Sequence, residues 1–150
     1  MSTRRIVITG ATGMIGRPLC ARLAAEGWQV AVLSRDPQAA AKKVPSASSF
    51  HAWKPGPPGE WAACVDGAHA VISLAGEPLF GGRLTRQKVE RANQTRVLGV
   101  GGLVQAMRSA RVPPSVFLCA SSVGVYGFQG PDDATVTEQT PPGSDYWALG

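Results

Sequence analysis

Residues 9–16 read Thr9-Gly10-Ala11-Thr12-Gly13-Met14-Ile15-Gly16, a Gly-x-x-Gly-x-x-Gly run. Its neighbours decide how it is read. Arg5 to Thr9, before it, is dense in β-branched residues and reads as a short buried strand that the glycines end. After it, Ile15, Leu19 and Leu23 recur every four residues between Met14 and Glu26. That spacing predicts a helix with one apolar stripe against a sheet, stopped by Gly27. Pro18 falls at the limit of its first turn, where a missing N–H is harmless.

Between a strand and a helix, each glycine has a task. Gly10 makes the tight turn, Gly13 lets the backbone approach a pyrophosphate, and Gly16 lets the helix sit close to the strand. Thr12, Met14 and Ile15 share this helix start, where free N–H groups and the positive end of the helix dipole favour an anion. They count with the glycines as candidate cofactor contacts. The plainer alternative is a glycine-rich turn with no ligand.

Further along, Trp28 to Leu33 is a second apolar run, and Asp36-Pro37 has the chemistry of a helix cap followed by proline at the first helical position, opening a helix to Lys43. Phe50 to Trp53 is a weak third strand. Lys54-Pro-Gly-Pro-Pro-Gly59 can hold neither a ladder nor a helix and is an irregular turn. Ala68 to Ala75 is a fourth strand, apolar enough to be buried on both faces. Beyond a loop at Gly81 and Gly82, Thr85 caps a long helix to about Ala110, with Val89, Val97, Val100, Val104 and Met107 at helical spacing. Val116 to Ala120 is a fifth strand, and Ser121 to Gly150 is mostly loop. Strands alternating with helices imply right-handed crossovers, and hence a doubly wound, Rossmann-type α/β fold: a mostly parallel sheet of about five strands with helices on both faces.

In such folds the cofactor is chosen at the end of the second strand, where an acid accepts from a ribose 2′-hydroxyl and an arginine pairs with a 2′-phosphate. Here the sequence is Ser34-Arg35-Asp36. Asp36 stands 20 residues after Gly16, as an acid selecting NAD would, but its place before Pro37 gives it a competing role as a helix cap. Arg35 offers a fork of donors to a phosphate, with Ser34 beside it. The reading favours NADP(H) over NAD(H), against the alternative of an ordinary surface arginine.

At 150 residues the chain suits one domain or a piece of one. No apolar run approaches the ~20 residues of a membrane span. Met-Ser-Thr-Arg-Arg leads straight into the first strand rather than a signal-peptide core, so a soluble, cytoplasmic protein with no membrane partner is expected. Cys20, Cys64 and Cys119 are odd in number and lack Cys-x-x-Cys spacing, which suggests neither a disulfide framework nor a metal site. They read as small buried apolar residues. The net charge is +5, and Arg83, Arg86, Lys88, Arg91 and Arg96 share their stretch with one acid, Glu90. That is either a solvated helix face or attraction for an anionic ligand such as a nucleotide. Nucleic acid would want a longer basic stripe with interleaved aromatics.

Five segments together resemble the extended short-chain dehydrogenase/reductase superfamily: Thr9 to Gly16, Leu33-Ser-Arg-Asp-Pro37, Ile72-Ser-Leu-Ala-Gly76, Thr95-Arg96-Val97, and Ser121-Ser-Val-Gly-Val-Tyr-Gly127. Leu74-Ala-Gly-Glu77 and the ending Thr137-Glu-x-x-Pro-Pro-Gly-x-Asp-Tyr146 resemble an atypical NAD(P)-dependent epimerase/dehydratase-like subgroup. The resemblance implies that Leu74, Ala75 and Gly76 lie along the cofactor and that Arg96 reaches it from the long helix, unless Arg96 is simply a solvated arginine. It places Ser122, four residues before Tyr126, at the catalytic Ser/Thr position, where a hydroxyl orients the substrate oxygen during hydride transfer. Closing a strand end is the other reading of that hydroxyl.

The superfamily's proton-transfer pair is Tyr-x-x-x-Lys. Tyr146 is the nearest candidate, and Gly150 stands where the lysine would. The resemblance also implies a further substrate-binding half, so residues 1–150 read as the N-terminal portion of an NAD(P)-binding Rossmann domain, apparently truncated after the fifth strand. An unpaired sheet edge would then favour self-association. Two functions follow. One is the NADP(H)-binding module of an epimerase/dehydratase/reductase-like oxidoreductase with an unknown small-molecule substrate, in which catalysis by this stretch alone is doubtful. The alternative is a non-catalytic nucleotide-binding or redox-sensing module.

Overall fold

The computed structural model describes residues 4–77, 83, 85–127, 130 and 135–144. Five strands form one sheet: β1 (Arg5–Thr9), β2 (Gln29–Ser34), β3 (Ser49–Ala52), β4 (Ala70–Ser73) and β5 (Val116–Cys119). Among the described residues three α-helices connect them: α1 (Gly16–Ala25), α2 (Pro37–Lys43) and α3 (Arg86–Ser109). The strand order is β3-β2-β1-β4-β5. All pairs are parallel, with Ile8 of β1 opposite Val32 on one side and Ile72 on the other. This is the doubly wound α/β arrangement the sequence implies, and its strand order reverses direction at β1.

Side chains alternate across the sheet, so each strand feeds two cores. Ile6, Ile8, Val30, Val32 and Ile72 share one core with Cys20, Ala40 and Val44, and half-buried Leu19 and Leu23 of α1 pack against it. Val7, Ala31, Leu33 and Val71 meet Trp53, Trp61, Leu103 and Ala106 on the other. Fully buried Ile8, Leu33 and Leu103 each contribute on the order of 1.5–3 kcal/mol by leaving water.

The expected stripe on α1 needs one correction. Ile15 is 61% exposed and belongs to the turn before the helix, while Gly16 and Cys20 are buried. On α3 the displacement is larger: the buried residues are Val89, Ala92, Gly99, Gly102, Leu103 and Ala106, and Val97 is 71% exposed. The reason is close approach by the loop after β3. A Cβ on Gly99 would sit 3.5 Å from the Trp53 ring, and one on Gly102 would overlap the Gly56 carbonyl oxygen. The loop therefore rests where α3 has no side chains, a face that a count of apolar residues cannot see.

Other expectations hold in detail. Asp36 Oδ1 accepts from the Ala39 N–H at 2.9 Å, with Pro37 opening α2, and Thr85 Oγ1 accepts from the Lys88 N–H at 3.2 Å. A 3₁₀ helix at Glu60–Cys64, not foreseen, follows the proline-rich turn and buries Trp61 and Cys64. Trp28 precedes β2 instead of opening it, and meets the His69 ring at a 40° tilt with centroids 5.2 Å apart, with the Arg4 guanidinium over its own ring. Cys20 and Cys64 are buried, and desolvation raises both thiols to about 11, whereas Cys119 is exposed, contrary to expectation. β5 stands at one end of the sheet, with Val116 and Phe117 half-buried and Leu118 and Cys119 exposed.

Residues 120–150 form a second compact unit. Its described part holds a 3₁₀ turn at Val123–Tyr126, and the Gly143 N–H donates to the Val125 carbonyl at 2.9 Å. Gly81, Gly82 and Tyr146 lie outside the described residues.

Candidate functional site

At the carboxyl ends of β1, β2 and β4 the structure opens a cavity of about 650 Å³, a size typical of cofactor sites. Its floor is the turn after β1. Gly10 has φ +72°, and a Cβ there would lie 2.6 Å from the Leu74 carbonyl carbon, so the turn admits only glycine. Gly16 is equally constrained, since its Cβ would lie 2.5 Å from Ala11 Cα. Gly13 differs: it is exposed, and within 4 Å a Cβ would meet only the Gly10 carbonyl oxygen, at 3.3 Å. The first and third glycines allow the backbone to pack closely, and the second lines the cavity.

The start of α1 follows directly on this turn. No side chain caps it and no acid occupies its first turn. The Arg17 N–H donates to the Gly13 carbonyl at 3.2 Å and Pro18 has no N–H, so what this helix start offers an anion is chiefly the positive end of its dipole. Gly10, Thr12 and Gly13 line the cavity, whereas Met14, Ile15 and Gly16 do not; Met14 is 84% exposed.

Ser34 and Arg35 line the cavity from the end of β2. The Ser34 hydroxyl donates to the Asp36 carbonyl at 3.2 Å and accepts from the Asp36 N–H at 3.3 Å, which fixes the turn that carries Arg35. Among the described residues Arg35 makes no salt bridge. Asp36 is occupied as the cap of α2.

Leu74, Ala75 and Gly76 line the cavity beyond β4. They are held by Thr9, which sequence reasoning missed: its carbonyl accepts from the Leu74 N–H at 3.1 Å and its fully buried hydroxyl from the Ala75 N–H at 3.3 Å. The available signal was a hydroxyl residue ending an otherwise apolar strand. Arg96 does not line the cavity but lies over Gly76, where a Cβ would be 2.9 Å from its Nε.

Trp53, Pro55 and Glu77, which were not candidates, also wall the cavity, and so does Arg91, one of the basic residues for which the sequence left two readings open. Trp53 Nε1 is buried and has no acceptor among the described residues. Glu77 Oε1 accepts from Arg91 Nη2 at 2.9 Å, and both its oxygens accept from Arg91 Nε at 3.1 Å. Arg91 thereby holds the Glu77 carboxyl below its usual range, with Lys88 and Arg35 adding to the effect. Of the basic stretch, Arg86 pairs instead with Glu90 on the exposed face of α3.

Ser122 is exposed, and its Oγ accepts from the Gly124 N–H at 3.1 Å, capping the 3₁₀ turn that contains Tyr126.

With this geometry in view, the model of the NAD dependent epimerase/dehydratase family matches residues 6–148. The chain belongs to this family. It is 32% identical over 149 residues to an epimerase family protein, the SDR39U1 homolog of Arabidopsis thaliana, whose name gives a chloroplast location; 98% of this chain and 42% of the plant protein are covered. The structure of human epimerase family protein SDR39U1, solved with NADPH, superposes with a TM-score of 0.73 at 25% identity, covering 95% of this chain and 44% of the human one. A short-chain dehydrogenase/reductase superfamily protein of Agrobacterium tumefaciens, solved with NAD, gives a TM-score of 0.73 at 23% identity and covers 97% of this chain and 40% of its own; it shares the fold. The chain thus spans less than half the length of these relatives. Among the described residues no helix is long and apolar enough to cross a membrane.

Proposed function

We propose that residues 1–150 are the cofactor-binding portion of an NADP(H)-dependent oxidoreductase of epimerase/dehydratase/reductase type. The observation that carries this is one cavity walled by the glycine turn and by an arginine that makes no salt bridge among the described residues, with the uncapped start of α1 next in the chain. In this reading the Gly10–Gly13 turn holds the pyrophosphate, aided by the positive end of the α1 dipole. Ser34 and Arg35 hold the 2′-phosphate, and Arg35 prefers it because a guanidinium matches phosphate with two parallel donors. Leu74, Ala75 and Gly76 lie along the dinucleotide, with Arg96 behind Gly76. The human relative solved with NADPH supports the same preference.

When bound, a nicotinamide dinucleotide supplies a hydride acceptor or donor. Ser122 orients the substrate oxygen, and Tyr146 exchanges the proton. With Gly150 in the lysine position, the tyrosine works without the superfamily's lysine beside it. The substrate-binding half belongs to the length that the relatives carry outside the match. Calorimetric titration with NADPH and NADH tests the binding claim: saturable, tighter NADPH binding is expected, and no binding of either would overturn it.

Gly150 favours a second reading, a nucleotide-binding or redox-sensing module without turnover. Oxidation of NADPH with a panel of carbonyl compounds separates the two, because a sensor binds and does not oxidise. β5, the last strand of the sheet among the described residues, exposes 55% of Leu118 and is the edge through which copies of the chain would self-associate. Sedimentation at rising concentration tests this; a mass independent of concentration is the contrary result.

A further inference from the structure

Arg91 and Glu77 are a second, unassigned charged element of the cavity. Both side chains line it, from α3 and from the segment after β4, and they meet in a two-pronged ion pair at 2.9–3.1 Å. The pair is open to solvent, with the side chains 57% and 28% exposed for Arg91 and Glu77. An ion pair this exposed stabilises little and exchanges partners cheaply. A phosphate monoester is a stronger, doubly charged acceptor for the same fork of N–H donors.

We infer that Glu77 and Arg91 form a charge gate that tunes the preference between phosphorylated and unphosphorylated dinucleotides. Glu77 keeps Arg91 neutralised and repels an added phosphate dianion, while Arg91 attracts it as a second cation beside Arg35. The field of Arg35 already reaches Glu77, so the three charges act on one volume. Without Glu77 the cavity would favour the phosphate more strongly. Without Arg91 an unpaired carboxylate would oppose it. The inference rests on NADP(H) binding in this cavity.

A pin that merely ties the segment after β4 to α3 would act differently: its loss would weaken both dinucleotides alike and lower the melting temperature. The test is therefore a ratio. The intact chain, Glu77→Gln, Arg91→Gln and the double variant are titrated with NADPH and NADH at low salt. Glu77→Gln is expected to raise the NADPH-to-NADH affinity ratio roughly three- to tenfold, the effect of removing one charge near a dianion. Arg91→Gln should lower the ratio by a similar factor, and the double variant should return near the starting value. Should Glu77→Gln fail to fold, the fall in Arg91→Gln carries the test. Unchanged ratios in folded variants of a chain that binds NADPH overturn the gate alone. No binding of either dinucleotide by the intact chain overturns the underlying reading and the gate with it.

Discussion

Gly10 is pressed against Leu74 so closely that a Cβ would lie 2.6 Å from the Leu74 carbonyl carbon. The turn after β1 and the segment after β4 are therefore one packed unit, further tied by the Thr9 hydroxyl on Ala75. The three glycines should separate experimentally. Gly10→Ala and Gly16→Ala put a methyl group into backbone and should cost about 1–3 kcal/mol or more in chemical denaturation. A Cβ at Gly13 would meet only the Gly10 carbonyl, so Gly13→Val should cost less stability than either and abolish dinucleotide binding. Retained affinity in Gly13→Val would falsify the role given to this turn.

Arg35→Ala should weaken NADPH about 10- to 100-fold, the range of a charge-assisted contact to phosphate, and NADH by much less. Equal losses for both in a binding assay would remove Arg35 from phosphate recognition.

Asp36 caps α2 through its Oδ1, which accepts from the Ala39 N–H, and in the proposed reading it is not the ribose acceptor. Asp36→Ala should therefore lower stability by about 1 kcal/mol in urea unfolding and leave NADH affinity unchanged. A selective loss of NADH binding would reassign the residue.

At the opposite ends of the strands, Asp66 accepts from the Val112 N–H at 2.9 Å and from Arg111 at 3.2 Å, which, in that order, hold its carboxyl below the usual range. A depressed carboxyl stabilises the fold above its unfolded pKa and loses that contribution as pH falls through the folded value. The melting-temperature gap between the native chain and Asp66→Ala should be full near pH 7 and close on acidification below about pH 4. A gap independent of pH would mean that packing, not charge, is what Asp66 supplies.

Much of this was legible in the sequence because its signals are local. β1, the cap at Asp36 and the cap at Thr85 depend on neighbours within four residues, and each lies where the residues placed it. What escaped depends on contacts distant in sequence. The buried face of α3 is set by Gly99 and Gly102 under the loop after β3, and small residues leave no periodic hydropathy. Ile15 matched the α1 repeat but falls in the turn. In the cavity, Gly10, Gly13 and Arg35 could be named from a motif, whereas Thr9, Trp53 and the Glu77–Arg91 pair enter through the packing of three separate segments. Arg91 was one of five basic residues with two open readings, and only its partner 14 positions earlier sets it apart.

The most direct test of the central claim is calorimetric titration of this chain with NADPH and with NADH in the same buffer. Saturable binding of both, with NADPH clearly tighter, is the expected result and supports the glycine turn and Arg35 together. Heat signals indistinguishable from dilution for both dinucleotides would contradict the claim and leave the cavity without its ligand.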